Sequence, residues 1–378
     1  MIPRIITASC FLGFALLGLA QALYGPSVTA FLARFSIGDG GAGYALSAQF
    51  LGGVVGVIVY ARLRRWASVR TLVAGSYGAV ALGSLGFALS SSWPACLAAA
   101  AVLGLGSGGI DVALNDYFTL DKSKRGVIRL NILHGFYGVG AIVGPFLIAL
   151  IGASHYDRAF LGCTVVAAAL IVVTLARFPA VGAERAEAEP GAHSIGGQRR
   201  AVMAFVAFYV VYVGVEVGIG GWEPTHLLGL GYGEVYADNA TSVFWFGLTL
   251  GRMAIVPLFR HQAPATIVTA CTVGVAVVLA GAWFPALAPF AYAGAGLMLA
   301  PIYPTGLSWM VRVVPSVGSA MSWIVASAMI GGVIFPPLIG VGIGHFGLIA
   351  VPAFLSVMAL GLMAIALTLA SRSTRPRK

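Results

Sequence analysis

Twelve stretches of about 20 or more mostly apolar residues, joined by short polar connections, fill this 378-residue chain, and one helical pass through a bilayer needs about that length. Inside lipid the backbone meets no water, so each stretch must satisfy its N–H and C=O groups within its own helix. The stretches run near 5–33, 41–61, 69–90, 94–118, 128–153, 158–178, 200–229, 238–258, 264–283, 285–310, 317–341 and 346–371. Composition agrees: 59% of residues are hydrophobic, 9% are charged and mean hydropathy is +0.95, where a soluble domain carries roughly 25% charged residues. The fold class expected is all-α integral membrane, with twelve transmembrane helices. The first stretch is too long for a cleaved leader and no small-residue cleavage site follows it, so it is expected to remain as the first helix.

A net charge of +10 raises nucleic acid as a partner, and the placement of the charge argues against it. Arg62, Arg64, Arg65 and Arg70 follow the second stretch, and Lys122, Lys124, Arg125 and Arg129 the fourth. Arg177, Arg185, Arg199 and Arg200 follow the sixth, Arg260 the eighth and Arg312 the tenth. Arg4 precedes the first stretch; Arg372, Arg375, Arg377 and Lys378 follow the last; the opposite connections hold only Arg34 and Arg158. Basic connections of membrane proteins face the cytoplasm. The alternation predicts a multi-pass protein of the cell's inner (plasma) membrane with both termini cytoplasmic.

The chain also repeats itself at half its length. Gly52, Gly56 and Arg65 return 195 positions on as Gly247, Gly251 and Arg260, and Gly18, Gly25 and Thr29 return 196 on as Gly214, Gly221 and Thr225. Gly140, Pro145, Leu147 and Ile148 return 191 on as Gly331, Pro336, Leu338 and Ile339. Parallel repeats about an axis along the membrane normal are one plan of secondary transporters, with the solute site between the repeats. The division expected is a six-helix bundle over 1–178, a cytoplasmic linker over 179–199 and a second six-helix bundle over 200–378. The linker, PAVGAERAEAEPGAHSIGGQR, is the one long polar stretch and reads as a tether.

Within the stretches, 51 glycines favour close helix approach, because packing drives association in lipid. Pro26, Pro145, Pro301, Pro304, Pro336 and Pro337 are expected to kink their helices. Cys10, Cys96, Cys163 and Cys271 show no CxxC spacing and read as free thiols.

Of the ionisable side chains inside the stretches or near their ends, seven are singled out: Asp111, Asp116, His134, Glu216, Glu223, His226 and Arg252. A charge at the centre of a membrane helix costs roughly 3 kcal/mol on insertion scales, so such groups pair or face water. At about 1.5 Å per residue, Asp111, His134 and Arg252 fall at similar depth, about 10 Å from the cytoplasmic edge. Glu216 falls near mid-membrane. Glu223 lies two turns further out on nearly the same face, with His226 within reach of it. Glu216 and Asp111 are the candidate proton carriers, since carboxylates in clefts are frequent proton donors and acceptors; a fixed pair with Arg252 is the alternative for Glu216. Asp116 is expected to pair with Arg62, Arg64 or Arg65. Arg252, Glu223, His226, Asp116 and Arg65 form the ion-pair and gating set.

Gln21, Tyr24, Asn115, Asn131, Tyr137, Trp222, Trp245, Tyr303 and Trp309 also lie in the stretches. Rings to cover a sugar's apolar face, with amides to fix its hydroxyls, make a pocket of the usual mixed kind. Interfacial belts explain Tyr and Trp near helix ends equally well. The candidate solute contacts are Gln21, Tyr24, Asn115, Asn131, His134, Trp222 and Trp245. No Ser-His-Asp grouping, phosphate-binding Gly-Lys loop, HExxH or metal-ligand spacing occurs, so neither an enzyme nor an ATP-driven pump is expected, and no metal or cofactor.

Five segments carry a family likeness: GLGSGGIDVALN in the fourth stretch, NILHGFYGVGAIVGP in the fifth, YVGVEVGIGGW in the seventh, WFGLTLGR in the eighth and GLMLAPIYPTGLS in the tenth. With them the chain, over most of its length, resembles the major facilitator superfamily and, within it, the fucose permease-like branch of fucose, galactose and glucose proton symporters. The resemblance implies two six-helix halves that rock in alternating access about a central cavity lined by the first, fourth, seventh and tenth helices. Gln21, Tyr24, Asp111, Asn115, Glu216 and Trp222 would then lie near solute, with Asn131 and His134 at the flank. Fucose permeases carry a coupling carboxylate in the first helix, where this chain has Gln21 and no acid. The superfamily's loop after the second helix carries an aspartate, absent from VYARLRRW here. Glu216 or Asp111 would take the first role, and Asp116 would answer the loop arginines. A monomer is the superfamily's default.

The reading is a secondary transporter that couples uptake of a sugar or similar small polar solute to protons, with the lipid bilayer as its surroundings. The rivals are an efflux antiporter for drugs or amphipathic metabolites, a uniporter and, from another class, a non-transporting membrane receptor.

Overall fold

The computed structural model describes residues 4–119, 124–180, 199–252, 261–314 and 321–373. Arg260, Lys122, most of the 179–199 tether and the last five residues lie outside them. The described residues form fourteen α-helices: α1 (Arg4–Ala22), α2 (Val28–Phe35), α3 (Asp39–Leu63), α4 (Val69–Leu89), α5 (Trp93–Thr119), α6 (Lys124–Ile151), α7 (Tyr156–Arg177), α8 (Arg199–Gly229), α9 (Glu234–Leu250), α10 (Pro264–Ala280), α11 (Ala288–Leu299), α12 (Ile302–Val313), α13 (Met321–Phe346) and α14 (Ala350–Ser373).

Two passes are broken. Pro26 has no N–H to give the carbonyl of Ala22, and the chain turns between α1 and α2, where the Ser27 hydroxyl takes the Leu23 carbonyl at 2.8 Å. Pro301 separates α11 from α12 in the same way. Pro145, Pro336 and Pro337 stay inside continuous helices. Among the described residues, nine stretches are long and apolar enough to cross a membrane, and the last of them, Ala326–Ser371, holds two passes. Helix α9 and the broken α11–α12 pair supply the other two, which makes twelve. The protein is a multi-pass membrane protein.

The chain divides into two compact units, residues 1–186 and 187–378. Their internal packing follows one plan. In unit 1, α1 packs on α6 and α7, α5 on α3 and α4, and α4 on α7. In unit 2, α8 packs on α13 and α14, α11 on α9 and α10, and α10 on α14. Small residues make these contacts possible, since helices in lipid gain their attraction from close backbone approach. A methyl group added at Gly140 would run into the Ala15 carbonyl oxygen, and one at Gly331 into that of Val210, 195 positions after Ala15. The corners repeat too. Gly152 and Gly347, again 195 apart, sit at φ +84° and +71° between α6 and α7 and between α13 and α14, a region side chains with a Cβ rarely enter.

Candidate functional site

In unit 1, α5 and α6 bring three of the expected residues together. The Asn115 amide sits one turn after Asp111, so its Nδ2 donates both to the Asp111 carbonyl, at 2.8 Å, and to Asp111 Oδ1, at 3.0 Å. That leaves Asn115 Oδ1 as an acceptor, and His134 Nε2 lies 3.0 Å from it. An acceptor there requires the hydrogen on Nε2. The Phe14 ring stands perpendicular to the imidazole, with centroids 5.4 Å apart. His134 is exposed, but not toward lipid. Ile132, Phe136, Val139, Val143, Phe146 and Leu150 form the exposed apolar stripe of α6, and His134 points about 160° around the axis from its middle at about 100° per residue. Asn131 is exposed one turn away. The result is a polar ledge: a carboxyl, an amide and an imidazole joined in series.

Unit 2 places its central acid differently. Glu216 on α8 is buried, and Arg252 Nη2 reaches both of its oxygens at 3.5 Å. The same nitrogen donates to the Tyr212 hydroxyl at 3.1 Å. Tyr212 is one turn before Glu216 on the same face, which was the available signal for a residue that sequence reasoning missed. Arg252 follows the last turn of α9.

Two turns along α8 from Glu216, Glu223 is fully buried and neither of its carboxyl oxygens has a hydrogen-bond partner. The expected bond from His226 is not made: His226 Nδ1 instead lies 2.8 Å from the Tyr292 hydroxyl of α11. Asp238, 1% exposed and also without a partner, had no place among the expected residues. Its stretch is expected to begin at 238, and α9 begins four residues earlier, at Glu234 behind Gly233. In the other unit Asp116 accepts from Arg64 Nη1 at 3.0 Å, so Arg64 rather than Arg65 answers it. Among the described residues no group of three or more His, Cys, Asp or Glu could hold a metal ion.

The sequence model of the Major Facilitator Superfamily matches residues 10–315. The chain belongs to the major facilitator superfamily. It is therefore a secondary transporter of a small-molecule solute, not an enzyme. The glucose/mannose transporter GlcP of Bacillus subtilis (strain 168) is 23% identical over 345 residues, which cover 86% of this chain and 85% of GlcP. Among solved structures, the nucleoside transporter NupG superposes with a TM-score of 0.77 at 13% identity, over 98% of this chain and 99% of NupG. FucP in its outward conformation gives 0.65 at 20% identity, over 99% of both chains.

Not every expected solute contact is free to serve this facilitator as one. Tyr24 is 1% exposed and packed edge-on against Phe31, Phe87 and Phe160. Trp222 is equally buried, and its Nε1 donates to the Pro336 carbonyl at 2.9 Å, tying α8 to α13. Both are committed to packing. Trp245 is buried against Gly220 with its Nε1 unpartnered, and Gln21 is half-buried.

Proposed function

We propose that this facilitator takes up a sugar or a similar small polar solute together with protons, by alternating access, across the inner membrane with both termini in the cytoplasm. The observation that carries the reading is the Asp111–Asn115–His134 series. An amide held between a carboxyl and an imidazole offers fixed donors and acceptors, which is what a polyhydroxylated solute requires of a pocket. Asn131 stands beside it, and Asp111 ends the series with an oxygen that can bind and release a proton. Glu216 is the second proton carrier. When it takes a proton its attraction for Arg252 falls, and Arg252 keeps Tyr212. The likeness to GlcP supports a sugar as the solute, and the family supports alternating access.

Purified protein in liposomes with a trapped pH dye tests this. Addition of one monosaccharide from a panel is expected to drive proton entry, and the signal should disappear in Asp111→Asn or Glu216→Gln. An unchanged signal in the double variant sinks both assignments. Counterflow of labelled solute without proton movement would make the protein a uniporter, and drug resistance in cells without accumulation would make it an exporter.

A further inference from the structure

Glu223 has no task in that scheme, yet it is the most completely buried acid of unit 2, with 0% exposure. Three helices meet around it. Thr241 of α9 and Tyr292 of α11 lie near its carboxyl without a hydrogen bond to it, and α8 carries it immediately before Pro224. Both neighbours already have partners: Tyr292 is with His226, and the Thr241 hydroxyl donates to the Ala237 carbonyl at 3.5 Å.

Among the described residues of unit 2, no cationic side chain pairs with it. Helices α9, α11, α12, α13 and α14 pack against α8 in this unit. Their charged and titratable side chains are Glu234, Tyr236 and Asp238 on α9, Tyr292 on α11, Tyr303 and Arg312 on α12 and His345 on α13, and no such group stands on α14 before its last turn. Arg252 is held by Glu216 and Tyr212, seven residues and about 10 Å back along α8. His226 meets Tyr292. An ionised carboxylate in this place would carry the whole cost of a buried, unpaired charge, and groups so placed neutralise.

A carboxylic acid fits where a carboxylate does not. Its O–H is a donor, and Thr241 Oγ1, which spends its own hydrogen on Ala237, has lone pairs left to accept. We propose that Glu223 is a proton-binding site of unit 2, its O–H free to turn to Thr241 Oγ1, and that the weakened helix beside it admits and releases that proton during transport. Water supplies the proton and takes it back, and no bond between heavy atoms changes. The weakness is specific. Pro224 cannot donate to the Gly220 carbonyl, so the ladder is broken next to Glu223, and Gly218, Gly220 and Gly221 lie in the turn before it, a combination that lets helices bend. The Trp245 ring packs on Gly220 and closes that turn.

The proposal rests on the proton-coupled reading and adds an acid to it, so its test needs a readout that does not depend on transport. Infrared difference spectra of the purified protein at neutral pH, wild type minus Glu223→Gln, should show the carbonyl stretch of a protonated carboxylic acid, and Thr241→Val should move that band. The amide of Glu223→Gln mimics the protonated acid. The variant should therefore fold and keep solute counterflow, while pH-driven accumulation collapses to an equal ratio on the two sides. Absence of the band overturns the proposal. So does accumulation in Glu223→Gln equal to wild type, or loss of bound sodium in that variant, which would make the site one for a metal cation. If wild type shows no solute-driven proton entry at all, the proton-coupled reading fails, and the band still decides whether Glu223 holds a proton.

Discussion

Unit 1 lays its acid, amide and imidazole in series along partly exposed helix faces, whereas unit 2 buries Glu216 against Arg252 and Tyr212 and encloses Glu223 entirely. The helices beneath these groups pack in matching pairs, and the backbone contacts at Gly140 and Gly331 and the corners at Gly152 and Gly347 correspond. The polar groups do not. The positions 195 on from Asp111 and Asn115 hold Gly306 and Met310, and the position 195 before Arg252 holds Val57. A backbone-on-backbone contact constrains both partners at once and tolerates only the smallest residues. A polar group needs only one surface of one helix, so the two halves share a frame and divide the chemistry.

The strongest way to break the comparison is to attack the frame. Gly140→Val and Gly331→Val each force side-chain atoms onto a carbonyl oxygen, and overpacking of this kind costs about 3 kcal/mol. Thermal unfolding in detergent should show losses of similar size from the two variants. Gly162→Ala, which meets nothing within 4 Å, should leave stability unchanged or raise it by up to about 1 kcal/mol through the alanine's better helix propensity. A large loss from only one of the two valine variants would show that the shared frame is not shared in energy.

The second test strikes the chemistry of unit 2. Arg252→Gln leaves the buried Glu216 without its cation, and removing one partner of a buried pair costs 3–5 kcal/mol when burial is complete. Arg252 retains 27% of its side-chain exposure and Glu216 11%, so about 2 kcal/mol is expected. Adding Glu216→Gln should restore most of it. Transport should stay lost in the double variant, which separates the stability role from the coupling role. A double variant no more stable than Arg252→Gln alone would mean that Glu216 does not depend on Arg252.

Hydropathy made the twelve passes legible because the bilayer sets one length for all of them. It could not show that Pro26 and Pro301 break their passes while Pro145 and Pro336 stay inside continuous helices, since every one of these prolines lacks the same N–H and the outcome depends on the packing around it. Depth along the helices placed Asp111, His134 and Arg252 on one level, but level carries no azimuth. The Asn115 amide between Asp111 and His134, and the Tyr212 hydroxyl on Arg252, are facts of azimuth. Asp238 is the first residue of its expected pass and so reads as a residue of the rim. Helix α9 begins four residues earlier, at Glu234, which carries Asp238 a full turn inside the helix. Trp222 and Tyr24 misled for the opposite reason: large amphipathic rings suit a pocket and a core alike.

A third test returns to unit 1. Asn115→Ala removes the group that joins Asp111 to His134, two side-chain hydrogen bonds of about 1 kcal/mol each. The efficiency of solute uptake should fall by about 10- to 100-fold, at about 1.4 kcal/mol per tenfold, with little change in unfolding temperature because the residue is only partly buried. Asn115→Ser, which keeps a shorter polar group, should lose less. A fall in stability as large as that of Arg252→Gln would mean that the series is a structural strut.

The smallest effect should come from the ion pair that looks best in geometry. Arg64 and Asp116 meet at 3.0 Å, closer than Arg252 and Glu216 at 3.5 Å, yet their side chains keep 33% and 44% exposure. Water screens such a pair, and exposed pairs are worth about 0–1 kcal/mol. Asp116→Asn should therefore cost less than about 1 kcal/mol, and the loss should shrink further in high salt, as exposed pairs do. The Arg252→Gln loss should barely respond to salt. If the two pairs instead answered salt alike, burial would not be what distinguishes them, and the contrast between an open unit 1 and an enclosed unit 2 would reduce to a difference in which residues happen to be charged.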